Sequence, residues 1–434
     1  MRILILTQHW YPDTFGGSEH VASEQARRLV ARGHEVTVLT ERVRDALPAD
    51  SNENGVRIIR YGCEKQFARF GGASRTDMKE VAKVLCEIRD KKYESTSTRN
   101  LENSQSRKFD IAILHHPYSA YGFVKSGLKI PSLYLFHTST SREAEVEGIK
   151  RILPAILEPF RPFLNYVFIA RTGRVERKVL RAMNSIAVLS DFSRLILKSA
   201  FPFTEKKIVK LPIGIDLVTF SVSAQKEKIR ARLGLPVDLP AQTGKKILLT
   251  VRRFTPRMGL LELVKAFELV LSEIPDAHLL IVGEGPQRAE LEKTIAEKSL
   301  QSKITLVGAV AVDDLPLYYQ AADLFVLPTA AFEGLGMATL EALACGLPVV
   351  GTPAGATLEV LGALDPTLVT KSTSAEDIAR GILGFFVRSK DEQEALSKKA
   401  REVAEEQYSW DRGIDELEQV IKTLIHENIK TGNR

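Results

Sequence analysis

A chain of 434 residues with a net charge of +6, 44% hydrophobic and 26% charged, is too long for one ordinary core and predicts two domains of roughly 200 residues in a soluble globular protein. No run of about 18 or more apolar residues occurs, and MRILILTQHW is too short an apolar start for a signal peptide, so a cytoplasmic protein is expected. Cys63, Cys86 and Cys345 lie far apart without CxxC spacing, which predicts reduced thiols and no metal site.

Strand-like runs alternate with helical ones along the chain. In the first half the strands are predicted at 2–7, 35–40, 56–60, 110–114, 132–136 and 185–189. In the second half they are 246–251, 277–282, 303–307, 323–327 and 348–351. Helices are predicted between them, among others at 17–32, 259–274, 286–299, 336–345 and 375–388. Such alternation implies parallel sheets, and two sets imply an α/β protein with two doubly wound, Rossmann-like domains, each with a ligand crevice at the carboxyl ends of its strands. The break LPIGID, 211–216, sets the expected domains at 1–212 and 213–390, with helices in 391–434 returning to the first domain. The polar tract 91–108 reads as a surface insertion without chemistry.

Charge is unevenly shared. Residues 1–215 hold 35 Lys and Arg against 23 Asp and Glu, a net +12, which leaves −6 for the remainder. A basic half suggests an anionic partner or surface. The stretch 150–181 concentrates the effect: eight basic residues stand against Glu158 and Glu176, with Phe160, Phe163, Tyr166 and Phe168 among them. One reading is peripheral contact with an anionic membrane at its inner face; the other is a solvated helix face over buried aromatics.

In the first βα turn, Gly16 and Gly17 open a helix, where bare backbone can approach an anion. The turn is neither GxGxxG nor GxxxxGK[ST], which argues against dinucleotide and P-loop sites. GHEV at 33–36 is structural, with Gly33 ending the helix and His34 in the turn. His137 follows the strand SLYLF, where a crevice residue belongs. In VRRFTPRMG, Arg252, Arg253 and Arg257 lie between a strand and a helix, suited to a diphosphate. VGEGP places Gly283 in another such turn. FEGLGMATLEALACGLPVV puts Glu333 before a helix mouth made by Gly334, Leu335, Gly336 and Met337, with Glu341 inside an apolar run. An unpaired acid there would be costly. Carboxylates for hydroxyls, cations for pyrophosphate and bare backbone for close approach are what a nucleotide sugar requires.

This last stretch resembles the EGFG–x4–E element of family 4 retaining glycosyltransferases, which have the GT-B fold of two such domains facing a central cleft. The other motifs match in order over nearly the whole chain. FGGSEH with RGHEV is similar to the family's first loop and helix, LFHTS to its histidine strand and LPIGID to its PNGID. VRRFTPRMG resembles GRLxPRKG, VGEGP resembles VGxGP, and GTPAGATLEV resembles a Gly-rich turn followed by Glu, here Glu359. The resemblance implies transfer of a sugar from a UDP- or GDP-linked donor to a glycosyl acceptor such as a glycolipid, polysaccharide precursor or small glycoside. It implies no cofactor and no metal for transfer, with a same-face displacement and domain closure that excludes water. Gly16 and Gly17 would approach the donor phosphates, His137 the sugar and Arg253 the diphosphate. Glu333 would hold the sugar hydroxyls and Glu341 the ribose. The family's lysine is Met258 here, so one cation is missing unless Arg257 or Arg252 substitutes.

Two other readings stay open from sequence. One is a nucleotide-sugar epimerase or hydrolase on the same scaffold. The other is a non-catalytic nucleotide-sugar-binding protein, which Met258 favours. Nucleic acid is not an expected partner, because no aromatic-plus-basic module appears.

Overall fold

The computed structural model describes residues 1–13, 17–62, 75–89, 109–142, 161–235 and 245–430. Gly16, Cys63, Phe160 and the tract 91–108 lie outside them. The chain divides into two compact units. One comprises Met1–Leu189, Ser193–Leu211 and Ile414–Arg434, the other Ser190–Phe192 and Pro212–Gly413.

The first unit carries an eight-stranded sheet. Its strands are β1 (Arg2–Leu6), β2 (Glu35–Glu41), β3 (Asp50–Glu53), β4 (Val56–Tyr61), β5 (Ile111–Leu114), β6 (Ser132–Phe136), β7 (Ser185–Val188) and β8 (Ile208–Lys210). They lie in the order β3-β4-β2-β1-β5-β6-β7-β8, parallel except for the antiparallel pair β3–β4. The inner strands are apolar without alternation because helices cover both faces; Ile3, Leu4, Ile5 and Leu6 are all fully buried. The strand order reverses between β2 and β5 on either side of β1, so the crevice of this sheet opens past Leu6 and Leu114.

The second unit carries β9 (Ile247–Val251), β10 (His278–Val282), β11 (Ile304–Gly308), β12 (Leu324–Leu327) and β13 (Val349–Gly351). All pair in parallel, in the order β11-β10-β9-β12-β13. The reversal here falls at β9, between β10 and β12. Loops after β9 and β12 therefore share one crevice.

The C-terminal helices divide differently from the expected 391–434 segment. Helix Lys390–Gln407 belongs to the second unit, burying Leu396, Ala400, Val403 and Ala404. Its Ser397 and Lys399 donate to the carbonyls of Gly346 and Leu364. Only from Ile414 does helix Trp410–Lys430 join the first unit. There Asp415 pairs with Arg32 and Glu418 lies 3.0 Å from His34 Nε2.

Candidate functional site

The chemistry in the second unit gathers at the predicted crevice. Arg252 and Arg253 follow β9, Thr329 stands past the end of β12, and Glu333 lies in the loop leading to helix Met337–Ala344. Arg252 and Glu333 are both buried and form an ion pair, Nη1 to Oε2, at 2.9 Å. Thr329 Oγ1 donates to the same carboxylate oxygen at 3.0 Å. Burial opposes charge on Glu333, yet Arg252, the Thr329 bond and the charge of Arg257 outweigh it and hold the carboxyl below its usual range. Glu333 is thus an ionised acid with one oxygen fixed.

Two glycines set this geometry. Gly283, at φ +133°, passes so close to β9 that a Cβ would lie 1.8 Å from the Arg252 carbonyl oxygen. Gly355, at φ +66°, lies against Glu333, where a Cβ would come within 2.1 Å of that residue's carbonyl oxygen. Ala356 N then donates to the Glu333 carbonyl at 2.8 Å. Arg257, also buried, donates from Nη1 to the carbonyl of Phe332 at 2.8 Å. It thereby supports the left-handed backbone of Phe332, φ 55°, an unusual conformation for an aromatic residue.

Gly334 and buried Leu335 lead to Gly336, which enters helix Met337–Ala344 at φ 85°. The first amides of that helix are the anion-receiving kind. Glu341 lies one turn in, and Tyr319 Oη donates to its Oε2 at 2.6 Å. Burial raises the Glu341 carboxyl, with the Tyr319 bond and the charge of Arg252 offsetting part of the rise. Tyr319 is therefore the partner that makes an acid affordable in an apolar helix, and sequence reading missed it. Arg253 alone of the three arginines is exposed.

In the first unit, Gly17 begins helix Gly17–Ala31 and His137 follows β6. His137 Nε2 lies 3.1 Å from His115 Nδ1, with the rings stacked 5.4 Å apart. Burial lowers His137 to about 4 despite the nearby charge of Glu19, and burial with His137 alongside holds His115 well below the ordinary imidazole range. Both rings are neutral at pH 7, so the contact is one N–H donated to one lone pair. His9 behaves oppositely. Burial works against its charge, but ion pairs with Glu19 and Glu41 at 3.4 and 3.5 Å raise it to about 9. Glu19 is correspondingly pulled down to about 2. The mouth of this sheet therefore holds one imidazolium between two carboxylates, beside neutral imidazoles.

Sequence reading also missed Glu176. It is buried on helix Arg161–Ala182 and accepts from the amides of Thr140 and Ser141, at 2.7 and 3.3 Å, and from the hydroxyls of Ser139 and Ser141. The loop directly after His137 is thus tied to that helix. The available signal was an acid alone among five cations from Arg171 to Arg181. His34, expected as structural, joins the chain's first nitrogen at 3.3 Å and Glu418 at 3.0 Å. Among the described residues no group of three His, Cys, Asp or Glu could hold a metal, and no helix is long and apolar enough to cross a membrane.

Comparison with known proteins agrees with this picture. The chain is 28% identical over 248 residues to a GDP-mannose-dependent alpha-(1-6)-phosphatidylinositol monomannoside mannosyltransferase of Mycobacterium tuberculosis, covering 55% of this chain and 62% of that one. It is 24% identical over 428 residues to the alpha-monoglucosyldiacylglycerol synthase of Streptococcus pneumoniae, covering 94% and 83%. The chain spans 52% to 62% of the length of the first curated relatives it matches. Sucrose-phosphate synthase from Thermosynechococcus elongatus has the same fold, with a TM-score of 0.74 at 20% identity over 98% of this chain and 99% of that one. The GT-B class expected from the motifs is therefore borne out. The model for glycosyltransferase family 4 matches residues 15–219 and that for glycosyl transferases group 1 matches residues 235–403. Between them the two models take in most of the chain, which belongs to the family 4, group 1 glycosyltransferases.

Proposed function

We propose that the chain is a retaining glycosyltransferase that moves a sugar from a UDP- or GDP-linked donor to an acceptor. The observation that carries this reading is the ionised, fixed Glu333 at the mouth of helix Met337–Ala344, with Glu341 one turn inside. Glu333 accepts sugar hydroxyls, Glu341 accepts the ribose hydroxyls, and the helix amides with Arg253 receive the diphosphate. In the transfer the bond from the anomeric carbon to phosphate breaks and the acceptor oxygen bonds the same face. The acceptor proton passes to the departing phosphate. Charge on that leaving group is met by arginine and by the helix N-terminus, the preorganised arrangement that lowers such barriers. Positive charge from the chain's own arginines makes a metal unnecessary for transfer.

The acceptor is a lipid-linked or membrane-surface molecule, and the protein works at the inner face of the membrane. Support comes from helix Arg161–Ala182, where Phe163 and Tyr166 are 64% and 70% exposed beside exposed Arg171, Arg174, Arg177 and Lys178. The names of the mannosyltransferase and synthase relatives, with phosphatidylinositol and diacylglycerol in them, agree.

The test supplies UDP-glucose or GDP-mannose with vesicles of anionic phospholipid and diacylglycerol, in buffer containing a chelator. Transfer to lipid is expected, with Glu333→Gln slower by about 10- to 150-fold, as for loss of a bond to a charged group. Donor consumption without acceptor, matching wild-type rates with it, would instead indicate a hydrolase.

A further inference from the structure

Aligned on Pro256, VRRFTPRMG departs from GRLxPRKG at three places, with Arg252 for glycine, Phe254 for leucine and Met258 for lysine. The two that change charge touch: Arg252 Nη1 lies 4.0 Å from Met258 Sδ, both side chains being buried. The same nitrogen makes the 2.9 Å ion pair with Glu333. Arg252 Nε and Nη2 face no acceptor among the described residues, so the carboxylate is what holds the guanidinium in place. A lysine at 258 would bring a second positive charge against this guanidinium. A glycine at 252 would leave the buried acid without its ion pair.

We propose that the cation of this site has moved from position 258 to position 252, and that Arg252 is the positioning residue for Glu333. It fixes Oε2 together with Thr329 and leaves Oε1 as the oxygen offered to a substrate hydroxyl. The inference rests on Glu333 being a sugar ligand. The charged groups facing Glu333 are Arg252, from the end of β9, and Arg257, from the turn after it. Arg257 has Nη1 committed to the Phe332 carbonyl, and the Gly355 turn contributes backbone. Arg252 pairs directly with the carboxylate, at 2.9 Å.

The experiment is a double-mutant cycle on the full chain with Arg252→Gly, Met258→Lys and both together, plus Arg252→Lys. Each protein is melted, titrated with UDP and GDP by calorimetry, and followed by infrared spectroscopy of the labelled Glu333 carboxylate against Glu333→Gln. Each single change is expected to weaken nucleotide binding by about ten-fold and lower the melting point, while the double change restores both, a coupling of the size seen for contacting residues. Arg252→Gly should raise the titration of the Glu333 band by about 1–3 pH units, as for loss of a neighbouring opposite charge. Arg252→Lys should leave it nearly in place. Additive losses, or a Glu333 band that titrates alike in Arg252→Gly and wild type, would overturn the proposal. If the band moves as described but no variant binds a nucleotide, the pinning stands and the donor-site reading fails.

Discussion

Replacing Gly355 by alanine perturbs the candidate site through backbone alone. At φ +66° an L-residue costs about 1–2 kcal/mol. The new methyl would sit 2.1, 2.5 and 2.7 Å from the carbonyl oxygen, amide nitrogen and carbonyl carbon of Glu333, where ordinary contact needs about 3.5–4.0 Å. All three are main-chain atoms, so no side chain can swing aside and the two loops must separate, at an overpacking cost of about 1–3 kcal/mol. The sum, about 2–5 kcal/mol, predicts a melting point lower by about 4–20 °C for a unit of this size. Donor binding should fall as well, because Glu333 moves with its backbone. Gly362→Ala and Gly384→Ala are the controls: both glycines are exposed in helices, and an added Cβ meets nothing within 4 Å. Those changes should stabilise by up to about 1 kcal/mol. A Gly355→Ala protein within about 0.5 kcal/mol of wild type in urea melts, the range of an inconsequential surface change, would refute the packing argument.

Other predictions test neighbouring parts. His9, raised from 6.5 to about 9, adds stability that is complete below pH 6.5 and is lost as pH rises through about 9, with an upper bound of about 3 kcal/mol; His9→Gln should flatten the stability profile between pH 7 and 9. Glu19 loses its side of the same pair as pH falls from 4.5 towards 2, so the contribution peaks between these limits. Tyr319→Phe strands the Glu341 carboxylate and should weaken nucleoside diphosphate binding by about 1.5–3 kcal/mol in calorimetry; unchanged affinity would mean that Glu341 is not a ribose ligand. Glu176→Gln should lower kcat more than it raises donor KM, since it loosens the loop behind His137, and equal losses in both would contradict that role. Sedimentation with anionic vesicles should fall with salt and with neutralisation of Arg171, Arg174, Arg177 and Lys178.

The strands were legible because buried parallel strands are unbroken apolar runs: RILILT, KILLTV and AHLLIV each fall within a residue of β1, β9 and β10. β3 was not, since DSNE contains nothing apolar. It pairs antiparallel with β4 through a turn at Asn54 and Gly55, φ 52° and 84°, and the Asn-Gly dipeptide was its one signal. Motif spacing also placed Glu333, Gly336 and Glu341 at one helix mouth, because residues close in sequence stay close in space. Partners far apart were invisible: Tyr319 meets Glu341 across 22 positions, His115 meets His137 across 22, and Arg252 meets Glu333 across 81. The arginines looked interchangeable in RRFTPR, yet the turn Pro256–Met258 buries Arg257 and directs it to a carbonyl while Arg253 stays exposed. Which cation serves the acid is a matter of side-chain direction, and spacing does not encode it.

Thermal unfolding in a panel of nucleotide diphosphate sugars reads donor binding at Glu341, since a ligand that binds only the folded state stabilises it by about 2.7 kcal/mol at 100 times its Kd. One UDP- or GDP-linked sugar should raise the melting point, and Glu341→Ala should abolish the rise while leaving the unliganded melt within a few degrees of wild type. No shift with any donor, or a shift that survives Glu341→Ala, would contradict donor binding at Glu341.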